Sequence, residues 1–156
     1  MPRHSPSTPS AVGLLMVLLM AAACGSSSTA LGPAAPGTYS LRVRLLDKSH
    51  PVLYSGPATF TTTGNTTVIT CWTDPSESTP RVELSAQGPV TVGTFGATNN
   101  RVAPSDFLVT DMVNSPMAQK GGSVTVTTVT ASMVDGSFNY SGDSRELKGN
   151  FAAAMK

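Results

Sequence analysis

The sequence predicts an all-β domain, a small antiparallel β-sandwich or barrel, behind a cleaved signal peptide and a flexible tether. Three observations carry this. Short runs rich in Val, Thr and aromatics alternate with polar residues from Tyr39 onward. Gly, Pro, Asn or Asp separate the runs. No stretch after residue 38 keeps a clean helical apolar period.

Composition limits the rest. The chain has 156 residues, enough for one small domain. Charged residues make up 12%, against about 25% in an average soluble domain. A net charge of +1 offers no basic excess, so nucleic acid is not an expected partner. Two cysteines and two histidines exclude a disulfide framework or a zinc cluster. No metal or other cofactor is expected.

Residues 1–10, MPRHSPSTPS, are polar and carry Arg3. Residues 11–23, AVGLLMVLLMAAA, are uncharged and apolar or small. Thirteen such residues are too few for a bilayer span, which needs about 20. A basic start, a short apolar run and small residues describe a signal peptide over 1–23. The run ends Met20-Ala21-Ala22-Ala23-Cys24-Gly25. This resembles the lipobox of bacterial lipoproteins, with Ala21 where Leu is usual. The resemblance implies cleavage between Ala23 and Cys24 and diacylation of the Cys24 sulfur. Two acyl chains suffice for stable attachment without a membrane span. The same residues also fit ordinary cleavage after Ala-Ala-Ala, which releases a soluble protein.

Residues 25–38, GSSSTALGPAAPGT, are small, polar and rich in Pro and Gly, which reads as a tether. Cys24 and this tether fill 24–38, and the β domain fills 39–156. In the first run Tyr39, Leu41, Val43 and Leu45 alternate with Ser40, Arg42 and Arg44, predicting a half-buried strand. Further strands are expected near 57–63, 66–73, 81–86, 89–95, 106–113, 123–134, 137–141 and 146–153. The last strand also suits a short terminal helix, and 111–120 suits one helical turn.

Two turns can be tested by register. Gly64-Asn65 would pair Phe60 with Ile69 and Ala58 with Cys71, placing all four on one face. Asp135-Gly136 would pair Met133 with Phe138 and Ala131 with Tyr140, also on one face. A bulge near Thr127-Thr128 is expected, because Val124 and Val126 differ in parity from Val129, Ala131 and Met133. The segments GSVTVTTV, GSFNY and LKGNFAA are similar to C-terminal hairpins of small β-rich lipoproteins. That likeness implies an antiparallel sandwich or barrel and no particular reaction.

Catalytic motifs are absent. Ser49 and His50 are adjacent, so a strand would point them apart. No Gly-x-Ser-x-Gly or Ser-x-x-Lys pattern occurs. Asp106 and Asp111 flank FLVT on opposite strand faces. The chain therefore reads as a non-enzyme. Cys71 is expected to be a buried thiol beside Phe60 and Ile69, with pairing between chains as the alternative. Trp72 points the other way and is the one candidate binding surface in the domain. The expected function is a lipid-anchored envelope module that binds or scaffolds, in the cell membrane or the outer membrane. An envelope protein or a small molecule is the expected partner. A carrier of a small apolar ligand, using an interior cavity, is the alternative.

Overall fold

The computed structural model describes residues 31–46, 50–98, 106–111, 121–142 and 144–156. Among them nine strands and no helix occur. The strands are β1 (Thr38–Leu45), β2 (Val52–Thr63), β3 (Thr66–Trp72), β4 (Pro80–Gln87) and β5 (Gly93–Thr98), then β6 (Phe107–Asp111), β7 (Gly121–Val129), β8 (Met133–Ser141) and β9 (Arg145–Met155). They form one closed barrel in the order β1-β2-β3-β4-β6-β5-β7-β8-β9, with β9 returning to β1. Closure removes the exposed sheet edges that would otherwise template association.

Alternation decides which side chains enter. In β1, Tyr39, Leu41 and Val43 are buried, while Arg44 stands in solvent. Matching positions supply Ile69 and Cys71 from β3, Val82 and Leu84 from β4, Val124 and Val126 from β7, and Leu147 and Phe151 from β9. Each large aliphatic or aromatic side chain buried this way contributes roughly 1.5–3 kcal/mol.

The Gly64-Asn65 turn forms as expected. Phe60 pairs with Ile69 and Ala58 with Cys71, and Gly64 sits at φ 57°. The second expected turn does not form. Asp135 and Gly136 lie inside β8, where Val126 pairs with Gly136 and Val124 with Phe138. The reversal is made at 130–132 instead. There the Thr130 backbone N–H donates to Met133 O at 2.8 Å, and its hydroxyl accepts from Met133 N at 2.9 Å. The expected bulge is present between Val126 and Thr128. It carries Val129 to the barrel rim, where it is exposed, and Val134 takes the core position. The segment 89–92 is a loop, and strand begins only at Gly93. The end of the chain continues as β9 strand rather than helix. The turn considered for 111–120 lies, apart from Asp111, outside the described residues.

β1 is a wedge between its neighbours. Gly37 N–H donates to Ala152 O at 2.7 Å, and Gly37 O accepts from Ala58 N–H at 2.8 Å. Beyond that point β2 and β9 meet directly in parallel, Thr59 opposite Ala154 and Phe60 opposite Met155. Upstream of Gly37 the chain doubles back along the outside of β9. Asn150 Nδ2 holds it there by donating to Leu31 O at 3.1 Å and Gly32 O at 2.8 Å.

Candidate functional site

The barrel axis is filled with side chains. Tyr39, Tyr140, Phe107 and Phe151 are at most 2% exposed, as are Leu41, Ile69, Leu84 and Leu147. Phe138 and Phe151 stack at 6.5 Å between ring centroids, and Phe95 meets the edge of Phe107 at 5.6 Å. Cys71 lies fully buried in this core, and burial pushes its thiol up to about 12. At one end Arg81, the extra residue of a bulge in β4, stacks its guanidinium 4.0 Å from the Tyr54 ring centre. Burial raises the neighbouring Tyr39 hydroxyl above its ordinary value, against the opposing pull of Arg81.

Two concave spaces lie on the outer wall. One groove of about 390 Å³ is lined by Leu31, Arg42, Ser123, Ser137, Asn139, Lys148 and Asn150, among others. A second, of about 420 Å³, shares Ser137 and Asn150 and reaches Pro33, Ala34 and Asp135. Strand register explains the convergence. Leu53, Arg42, Lys148, Asn139 and Ser123 are cross-strand partners in one transverse row. Ser55, Ser40, Asn150, Ser137 and Thr125 form the next row. All have the parity opposite to the core residues, so their side chains leave the barrel. The doubled-back segment 31–34 forms one wall of both grooves.

The grooves offer hydrogen bonds rather than reaction chemistry. Lys148 Nζ is held 2.9 Å from Glu146 Oε1, and Arg42 adds a second cation to the row. Asn139, Asn150 and the serines add neutral donors and acceptors. Asp135 Oδ1 and Ser40 Oγ are buried without a hydrogen-bond partner, so each keeps an acceptor for water or ligand. The residues lining the two grooves include neither His nor Cys. Among the described residues no three His, Cys, Asp or Glu side chains cluster to hold a metal.

The residues singled out from sequence are scattered. Cys24 and Ala23 lie outside the described residues, as does Ser49. His50 is exposed on a bend. The Asp106 carboxylate sits against Gly96, where any β-carbon would collide with it. Trp72 does lie outside the core, half-buried, with Nε1 donating to Thr59 Oγ1 at 2.8 Å. Lys156 Nζ stands 4.7 Å from its ring centre and also pairs with Glu77 at 2.7 Å. In the adjoining loop, hydroxyls of Ser76 and Thr73, with Ser78 behind them, hold the Asp74 carboxyl down at about 2. One face of the Trp72 ring is thus occupied by the protein's own lysine.

The grooves escaped sequence reasoning because they depend on long-range pairing. Arg42 and Lys148 become neighbours only through the β1–β9 register. The Gly-x-Phe repeat in GSF and GNF was the available signal, since it fixes the β8–β9 register that sets Asn139 beside Lys148. Set against family models, curated proteins and solved structures, the chain matches none.

Proposed function

We propose that this is an exported protein, anchored to the cell membrane or the outer membrane through lipidated Cys24, that binds a polar envelope partner on its outer wall. The barrel acts as a rigid scaffold and carries out no reaction. One observation favours this reading: large apolar side chains occupy the inward positions, while the polar side chains converge in grooves outside. A carrier of apolar ligands needs inward side chains that leave an apolar cavity of about 300 Å³ or more.

The test is an amide-resolved NMR titration with two ligand sets, soluble fragments of envelope glycan and long-chain fatty acids. The expected result is saturable movement of the Ser123, Ser137, Asn139 and Asn150 resonances by the polar set. Lys148→Ala should weaken that response without moving the core resonances. If fatty acid instead shifts Phe107, Ile69 and Leu84, the carrier reading replaces this one.

A further inference from the structure

The doubled-back segment has a direction, and it leads to an unassigned surface. Ala35 O accepts from Thr38 N–H, close to where Gly37 meets Ala152. Moving upstream, Pro33 and Ala34 lie near Asp135 and Ala152, while Leu31 lies near Lys148, Arg42 and Ser123. The chain therefore arrives from the end of the barrel where β1 finishes and β9 begins. Six residues lie between Cys24 and Leu31, which makes seven chain steps, and a fully extended residue spans at most about 3.6 Å. The lipid attached to Cys24 thus lies no more than about 25 Å from Leu31.

Exposed aliphatic side chains occur at both ends of the barrel, with Val92, Val129 and Met155 at the far end, and this end is set apart by the arginines beside them. Leu46, Val52 and Leu53 are 56%, 45% and 54% exposed. All three flank one connection, from β1 to β2. Leu53 is the cross-strand partner of Arg42, and Val52 of Val43. Arg42 and Arg44 line a shallow depression with Lys148 and Glu146 beside these aliphatic groups. Among the residues lining that depression, Arg42, Arg44 and Lys148 stand against one carboxylate, Glu146. Half-exposed aliphatics fringed by arginine suit the interface of an anionic bilayer, where apolar groups enter the headgroup boundary and cations meet phosphate.

We propose that the barrel stands on the lipid surface on this end, with Leu46, Val52 and Leu53 in the headgroup region and Arg42 and Arg44 against lipid phosphate. The inference rests on the anchored reading above. The acyl chains supply the attachment, and the patch sets the orientation, leaving the Gly64-Asn65 end pointing away from the membrane. The grooves then run up the side of the barrel, open to a partner in the envelope.

Site-directed fluorescence on the full lipidated chain tests this. A single cysteine at Leu53→Cys or Asn65→Cys takes the label, because Cys71 is fully buried. Vesicles of phosphatidylglycerol and phosphatidylcholine carry a headgroup spin label as quencher. The label at 53 should be quenched several-fold more than the label at 65, and more in anionic vesicles than in neutral ones. Ser55→Cys repeats the measurement with Leu53 intact. Equal quenching at 53 and 65 overturns the orientation, and so does a dimer cross-linked through position 53. Palmitate labelling and vesicle flotation of Cys24→Ser are read separately. An unlabelled wild-type chain, or a Ser variant that still floats, overturns the anchor and this proposal with it.

Discussion

The β2–β3 hairpin and the β7–β8–β9 ladder each depend on a glycine, for opposite reasons. Gly64 sits at φ 57° with no atom within 4 Å of where a β-carbon would be. Its value is conformational, since a side chain there meets backbone strain but no neighbour. Gly136 has ordinary strand geometry, yet a β-carbon would stand 2.3 Å from Thr125 O and 2.7 Å from the Phe151 ring. Its value is space. Gly149 makes the same kind of room for the Phe138 ring. Because Gly136 pairs with Phe151 and Phe138 with Gly149, each ring lies over the glycine of the adjacent strand. One hairpin is fixed by its own turn, and the ladder by packing between strands.

The largest expected effect is at the ladder. Gly136→Val should cost about 3 kcal/mol or more, because backbone and a packed ring both obstruct it. Thermal or urea unfolding reads this directly. A cost no greater than that of Gly64→Val would break the comparison. Within the β2–β3 hairpin, Cys71→Ser should cost about 2–3 kcal/mol, since a hydroxyl enters an apolar core. Cys71→Ala should cost about 1–2 kcal/mol through lost burial. The same thiol gives a pH signature. Its folded value of about 12 stands above the ordinary value of 9.0. The folded state therefore holds its proton longer than the unfolded state, and stability present below pH 9.0 is lost as pH rises toward about 12. Stability curves of wild type and Cys71→Ala should converge across that window, and parallel curves would place the thiol in water.

Smaller effects sharpen the contrast. Gly64→Val should cost about 1–2 kcal/mol, and Gly64→Asn markedly less, since Asn tolerates the left-handed region. Equal costs for the two would mean that space, not conformation, matters there. Thr130→Ala should cost about 0.5–1 kcal/mol through loss of its turn hydrogen bonds. No measurable change would show that the reversal at 130–132 is set wholly by the ladder.

This contrast also explains what could be read in advance. The all-β class, the β1 alternation, the β2–β3 register and the burial of Cys71 were legible because each follows from neighbouring residues. Asp135-Gly136 misled because the dipeptide fits a tight turn locally, while Gly136 answers to Phe151 from another strand. The outer grooves were illegible for the same reason. Arg42, Asn139 and Lys148 are unremarkable polar residues until three strands align them. Trp72 drew notice as an outward-facing residue, but Thr59 of the paired strand and Lys156 from far along the chain engage it.

The wedge formed by β1 bears on how the barrel comes to exist at all. Thr38 pairs with Ala152, near opposite ends of the described chain, so sealing the sheet requires a contact of very long sequence separation. Closing so long a loop is entropically slow. Until β9 arrives, β1 and β8 each present an unsatisfied edge to any other chain. A nascent or truncated polypeptide lacking β9 is thus an open ribbon, prone to associate and accessible to proteases. Pairing of β9 with both β1 and β8 thus acts as a completion check on the barrel.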